Sequence, residues 1–243
     1  MLRTATAIAF VLIGGAANAR VTAEKVERPT PDRVTVTWSA KAPVDVFVSE
    51  SPIATVATAK LAARGETAGS FDADAPNGAR VYFLLKDTKD NTVVRVAERA
   101  LPLDHGSNFR DIGGYATKDG KRVKWGRIFR SGGQPMLTET DLAEIKRLGL
   151  VDLVDLRSSD ERVIAPTRIN GVRYTAFGYD MMAISGGKMP TSMSEVGEAY
   201  RRFPTLLAPQ LRALFRALLA NDGAVAYNCS AGQDRTGFAT ALI

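Results

Sequence analysis

The stretch GAVAYNCSAGQDRTG, from Gly223 to Gly237, decides the fold. Its first part, GAVAYN, is a short apolar run that predicts a buried strand. A polar loop follows, with Cys229 at its start and Arg235 at its end, five residues lying between them. A strand that passes through a glycine-containing loop into a helix is a unit of α/β folds, in which ligands bind at the carboxyl ends of strands. We therefore expect a ligand site at this loop.

The chain around this stretch alternates between helical and strand patterns. TETDLAEIKRLG predicts a helix with Thr138 as its N-cap, and LVDLVDL predicts a second buried strand. LLAPQLRALFRALLAN has its leucines on one face and predicts an amphipathic helix. The fold class expected for residues 104–243 is α/β, with a central, mostly parallel sheet flanked by helices.

Residues 20–103 have a different character, with several short alternating runs and few helix signals. RVTVTWSA, for example, places Val34, Val36 and Trp38 on one face of a strand. We expect a small all-β sandwich that resembles a fibronectin type III or immunoglobulin-like module. DADAP, Asp72–Pro76, is predicted to be a turn because Asp and Pro favour turns.

Residues 1–19 have the pattern of a signal peptide. Arg3 gives a positive start, AIAFVLIGGA an apolar stretch, and ANA at Ala17–Ala19 a small-residue cleavage site. The apolar stretch is too short for a stable membrane span, although an uncleaved anchor is the alternative. The mature protein is therefore expected to begin near Arg20 and to be exported, to the periplasm or the extracellular space.

Composition excludes several classes of function. The formal net charge of +6 and the lack of basic runs interleaved with aromatic residues argue against nucleic-acid binding. His105, the only histidine, cannot form a histidine-rich metal cage or readily complete a catalytic triad, and we predict that it is an exposed linker residue. No metal and no cofactor is expected.

The loop residues favour binding of a tetrahedral anion. Backbone N–H groups at the start of a helix form an anion nest, and Gly232 allows the backbone to approach the ligand closely. Arg235 can bind two phosphate oxygens at once, and the same positive field favours the thiolate of Cys229. The predicted phosphate-binding residues are Ser230, Ala231, Gly232, Gln233, Asp234 and Arg235. A core cysteine with an unrelated arginine is the alternative.

CSAGQDRTG resembles the signature of the cysteine-based protein tyrosine phosphatases: cysteine, five residues, arginine, then serine or threonine. NFRDIGGY at Asn108–Tyr115, GRIFRSG and VDLVDLRSSDE resemble the secreted mycobacterial and cyanobacterial members of that family. The resemblance implies a phosphatase domain over residues 104–243 that forms a phosphocysteine at Cys229. For most of NFRDIGGY we expect a structural role, since Arg110 and Asp111 could pair with each other.

A leaving group needs a proton from a carboxylic acid near the loop. The resemblance implies that Asp234 is this general acid, while Asp180, in a Gly- and Met-rich segment, is the second candidate and Asp160 the third. An ion pair with an arginine is the alternative role for Asp234. Thr236 is expected to hydrogen-bond the thiolate and to assist breakdown of the phosphocysteine.

Two residues depart from the family pattern. Asn228 stands where histidine commonly precedes the nucleophile, and Gln233 stands where many relatives have lysine. The expected substrate is protein phosphotyrosine, with phosphoinositide or broad phosphomonoester hydrolysis as the alternative. A phosphate-binding protein with weak or no turnover is the rival class, because Asn228 carries no charge. The apolar end TGFATALI resembles an unfinished helix, so we expect the domain to be truncated at its C-terminus.

Overall fold

A computed structural model describes residues 21–180, 182, 187 and 191–243. The predicted signal peptide lies outside the described residues, as does most of the segment that follows Asp180. Within the described part of the chain, no helix combines the length and apolar character needed to cross a membrane.

Residues 22–97, which we call the β unit, form two antiparallel sheets. The first has the order β1-β2-β5 and the second β4-β3-β6-β7. The strands are β1 (Thr22–Thr30), β2 (Arg33–Ser39), β3 (Val44–Ser49), β4 (Lys60–Glu66), β5 (Ser70–Asp74), β6 (Tyr82–Asp87) and β7 (Val93–Ala97). Both sheets bury side chains in one shared cluster, which includes Val34, Val36 and Trp38 from β2 and Phe83 and Leu85 from β6. The alternation read in β2 is thus confirmed, whereas the fibronectin-like or immunoglobulin-like character of the unit stays a prediction.

The predicted turn at Asp72–Pro76 is wrong over most of its length. Asp72 and Asp74 lie in β5, where they pair with Thr35 and Arg33 of β2. A 3-10 helix at Pro76–Gly78 follows only after the strand ends. Pairing with β2 overrides the turn preference of the aspartates, whose side chains project to solvent from an edge strand where charge is tolerated.

The second half of the chain contains a five-stranded mixed sheet with the order β11-β10-β12-β9-β8. Its strands are β8 (Arg110–Asp111), β9 (Ile128–Ser131), β10 (Leu150–Asp155), β11 (Arg173–Ala176) and β12 (Ala224–Asn228). The first four strands of that order are parallel, and β8 is antiparallel to β9. Asp155, Asn228 and Ser131 are aligned across β10, β12 and β9. The loops that follow these three strands therefore meet at one edge of the sheet.

Helices complete an α/β fold. They are α1 (Glu139–Arg147), α2 (Ser159–Ile164), α3 (Met193–Arg201), α4 (Phe203–Leu206), α5 (Ala208–Ala220) and α6 (Asp234–Leu242). Thr138 caps α1 as predicted, with a capping box to Asp141. Leu211 and Leu214 of α5 and Ala239 of α6 pack in the same buried cluster as Tyr227 and Cys229 of the β12 segment.

Candidate active site

Cys229 lies directly after β12, and the loop it opens ends where α6 begins at Asp234. The cysteine is 2% exposed, and its backbone N–H donates to Ser131 O at 3.3 Å. The carbonyl of Ser230 accepts from Gly133 N at 2.9 Å. The segment after β9 thus supports the start of the loop. The N-terminus of α6 follows the loop directly. Its first N–H groups have no partner within the helix, and they face the loop together with the positive end of the helix dipole.

Gly232 is required by both conformation and space. Its φ is +68°, and a Cβ at this position would lie 2.6 Å from Gly132 N and 2.8 Å from Ser131 O. These neighbours are backbone atoms that cannot rotate away. The loop can therefore pack against the end of β9 only with glycine here.

Arg130 of β9 supports the loop through hydrogen bonds, and the sequence did not indicate this role. Its guanidinium donates to Gly232 O at 3.0 Å, Gln233 O at 2.9 Å and Thr236 Oγ1 at 2.9 Å. Because Arg130 donates to the oxygen of Thr236, the hydroxyl proton of Thr236 must point elsewhere. Cys229 Sγ lies 3.9 Å from that hydroxyl oxygen. The threonine can therefore donate to a thiolate, the role expected for it.

Arg235 is held by Glu161, a residue that sequence reasoning missed. The two side chains form a two-pronged ion pair with distances of 2.6 and 2.7 Å, and Tyr179 Oη lies 2.7 Å from the guanidinium. Ser230 Oγ also donates to Glu161. Glu161 and Tyr179 thus fix the plane of the guanidinium at the end of the loop. A planar guanidinium can bind two oxygens of an anion.

The visible signal at Glu161 is a capping box, since Ser158 and Glu161 reciprocally cap α2. That pattern predicts where a helix begins but not what the carboxylate binds. Burial raises the pKa of Glu161, yet hydrogen bonds from Arg235 and Ser230 outweigh burial and lower this pKa to about 2. Burial likewise opposes the charge of Arg235, but Glu161 and Tyr179 raise its pKa. Both groups are charged at neutral pH.

The NFRDIGGY segment also supports the loop. Asn108 Nδ2 donates to Ala231 O at 2.9 Å, and Arg110 donates to Gly232 O at 3.2 Å. Arg110 and Asp111 do not use each other as partners: Arg110 also bonds Asn108, while Asp111 pairs with Arg80 at 2.9 Å. The predicted structural role of this motif therefore includes direct contact with the loop.

The three candidate acids occupy different surroundings. Asp234 is exposed at the first turn of α6, and Tyr200 Oη donates to its Oδ1. That hydrogen bond is the main cause that raises the pKa of Tyr200 to about 12. Asp180 is exposed and accepts from Met182 N at 2.9 Å, whereas Asp160 is exposed in the first turn of α2. Only Asp234 belongs to the loop itself.

Asn228, Gln233 and His105 were singled out for their chemistry. Asn228 is fully buried, and neither amide atom of its side chain has a hydrogen-bond partner among the described residues. The amide therefore makes no hydrogen bond to the loop among these residues. Gln233 is exposed at the N-cap of α6, and His105 is exposed as predicted.

Comparison with known proteins agrees with this geometry. A family model described as the tyrosine phosphatase family matches residues 101–243. The triple specificity protein phosphatase PtpB of Mycobacterium tuberculosis is 32% identical over 169 residues, which cover 56% of this chain and 59% of the relative. A tyrosine-protein phosphatase of Nostoc commune is 34% identical over 115 residues, covering 44% of this chain and 38% of the relative. The aligned region thus spans only part of the length of either relative.

Proposed function

Because the chain belongs to the tyrosine phosphatase family, we propose that it hydrolyses phosphomonoesters, above all protein phosphotyrosine, through a phosphocysteine at Cys229. The groups that perform this chemistry are a thiolate, a guanidinium and a backbone anion nest, and none of them requires a metal. Export is part of the proposal, and the signal-peptide pattern of residues 1–19 supports it.

One observation carries the proposal: the nucleophile and the anion clamp lie at the two ends of a single strand–loop–helix unit. Cys229 is buried at the end of β12, whereas Arg235 is oriented by its two-pronged pair with Glu161. A phosphate bound to the loop amides would lie near both the sulfur at the start of the loop and the guanidinium at its end. A core cysteine with an unrelated arginine would not explain why Glu161, Tyr179 and Ser230, a residue of the loop itself, all bond that guanidinium.

In the first step the thiolate of Cys229 attacks phosphorus, an S–P bond forms, and the bond from phosphorus to the tyrosine oxygen breaks. Arg235 and the loop amides stabilise charge on the equatorial oxygens. Asp234 gives its proton to the departing phenolate oxygen. Tyr200 orients this carboxylate, because its phenol donates to Asp234 Oδ1.

In the second step a water molecule attacks phosphorus, Asp234 takes a proton from that water, and the S–P bond breaks. The products are inorganic phosphate and the thiolate. Thr236 Oγ1 lies 3.9 Å from the sulfur and can donate a hydrogen bond to the leaving thiolate. Arg130 donates to the same hydroxyl oxygen, so the hydroxyl proton points away from Arg130.

The substrate class is proposed from the family and from the loop residues. The name of the Mycobacterium tuberculosis relative describes a triple specificity protein phosphatase, so we extend the proposal to more than one class of phosphorylated substrate. Gln233 removes a charge that a highly anionic phosphoinositide head group would use. We therefore place phosphoinositides second.

Leaving-group dependence tests the assigned acid. Phosphotyrosine needs a proton on its leaving oxygen, whereas a nitrophenyl ester leaves with little help. Asp234→Asn should lower turnover of phosphotyrosine peptide about a hundredfold and that of the nitrophenyl ester far less, within the usual range of general acid catalysis. Asp180→Asn is the matched control. If Asp180→Asn shows the leaving-group dependence and Asp234→Asn slows both substrates equally, Asp234 is not the acid.

A phosphate-binding protein without turnover is the second candidate, and the unsatisfied amide of Asn228 favours it. Rates on a phosphotyrosine peptide and on a phosphoinositide head group separate the candidates. We expect turnover of the peptide to exceed that of the head group. Tight binding of inorganic phosphate without hydrolysis of either substrate would support the binding protein instead.

A further inference from the structure

A buried ion pair connects the β unit to the segment that supports the phosphate-binding loop. Arg80, which precedes β6, places its guanidinium 2.9 Å from Asp111 Oδ2. The side chain of Arg80 is 11% exposed and that of Asp111 is inaccessible. The same carboxylate accepts from Gly113 N and Gly126 N, each at 2.7 Å. A carboxylate buried in this way depends on its charged partner.

The β unit determines where Arg80 lies. The guanidinium donates to Tyr82 Oη and to Glu98 O, both at 2.8 Å. It also lies 4.9 Å from the ring centre of Tyr82 and 5.8 Å from that of Phe129, within the range of cation–π contacts. A lysine at this position would keep the positive charge. It lacks the planar guanidinium, so it could not bond Tyr82, Glu98 and Asp111 in the same arrangement.

Asp111 is joined to residues that hold the phosphate loop. It forms β8 together with Arg110, whose guanidinium donates to Gly232 O at 3.2 Å. Asn108, two residues earlier, donates to Ala231 O at 2.9 Å. The chain leaving the β unit also pairs with this segment, since Arg99 donates to Asp111 O at 2.8 Å. A shift of Asp111 would move the groups that hold two loop carbonyls.

We infer that Arg80 is a positioning residue of the phosphate site and that the β unit thereby contributes to phosphate binding. Arg80 touches neither the loop nor a substrate. It acts through Asp111, which fixes the segment that carries Asn108 and Arg110. This inference rests on the proposed function, because it assigns the loop to phosphate. Displacing catalytic groups by about an ångström can cost as much as a hundredfold in rate.

The test compares Arg80→Gln with Arg28→Gln in the 243-residue chain. Arg28 pairs with Glu98, directly after the β unit, and is as buried as Arg80, at 11% exposure. Its hydrogen bonds go to Glu98, Pro31 O and Ala79 O and not to Asp111, so it controls for lost stability. Inorganic phosphate is the probe, and its dissociation constant is measured by calorimetry well below the melting temperature of each variant. We expect Arg80→Gln to weaken phosphate binding about tenfold and Arg28→Gln to leave it within about twofold.

Arg80→Lys keeps the test decisive if Arg80→Gln does not fold, and its loss should be smaller than about tenfold but measurable. Phosphate binding within about twofold of the unaltered chain in the folded Arg80 variants, or an equal loss in Arg28→Gln, would overturn the inference. Turnover by the unaltered chain is measured separately. A chain that binds phosphate without turnover contradicts the proposed function alone, whereas a chain that does not bind phosphate contradicts both.

Discussion

At the scale of single residues, the direction of Arg235 depends on Glu161. The carboxylate accepts from both terminal nitrogens of the guanidinium and from Ser230, and it also caps α2. One side chain thus links the start of a helix to the anion clamp. Removing the charge of Glu161 should disturb both the start of α2 and the position of the Arg235 guanidinium.

Glu161→Gln should lower kcat/KM for a phosphotyrosine peptide about a hundredfold, the scale of losing an oriented charge in a catalytic site. It should also lower stability at neutral pH. The pKa of Glu161 is about 2 in the folded chain against an ordinary value of 4.5, so its charge stabilises the fold above pH 4.5. That contribution is lost as the pH falls from 4.5 towards 2.

Melting temperatures of the unaltered chain and of Glu161→Gln, measured from pH 7 downward, check this sign. The two curves should converge below pH 4.5. A gap that stays constant or widens in acid would show that the ion pair with Arg235 is not what stabilises this region.

At the scale of elements, the strand–loop–helix unit was predictable, whereas the contacts that support it were not. The apolar run before Cys229 and the glycine within the loop are local signals, and they indicate the correct strand and helix. Glu161, Arg130 and Asn108 reach the loop only because β10, β9 and β8 lie in the same sheet as β12, which leads into the loop. Strand order sets that proximity, and no local pattern encodes it.

Gly232→Ala tests the packing of the loop against β9. The new methyl group would collide with the backbone of Ser131 and Gly132, in addition to the strain of a positive φ. Gly149→Ala is the matched control, because Gly149 has a φ of +64° and nothing lies within 4 Å of its would-be Cβ. We expect Gly149→Ala to cost about 1 kcal/mol of stability and to preserve phosphate binding, measured by calorimetry.

Gly232→Ala should cost more stability than the control and should weaken phosphate binding at least about tenfold, since it displaces loop amides. Equal effects of the two substitutions would mean that the close approach to β9 is unimportant.

At the scale of the whole molecule, the β unit and the mixed sheet share a packed junction. Tyr82, Ala97 and Trp125 form a buried cluster across it. Trp125 donates to Arg95 O at 3.0 Å, and Arg80 pairs with Asp111. The sequence indicated a change of character near residue 103 but gave no sign of this junction, because its partners lie far apart along the chain.

We therefore expect the two parts to unfold together in a single calorimetric transition, with the calorimetric and van't Hoff enthalpies equal. Arg80→Gln should broaden or split the transition, because it leaves Asp111 buried without its charged partner. Two separate transitions in the unaltered chain would show that the β unit unfolds independently of the mixed sheet.

The central claim is that Cys229 carries the phosphoryl group during turnover. The direct measurement is rapid acid quenching of the chain during hydrolysis of a phosphotyrosine peptide, followed by mass spectrometry of the fragment that contains Cys229. The account predicts a phosphorylated cysteine in that fragment and no adduct in Cys229→Ser, which should still bind inorganic phosphate. Hydrolysis by Cys229→Ser above about one per cent of the unaltered rate, or an unmodified Cys229 during rapid turnover, would contradict it.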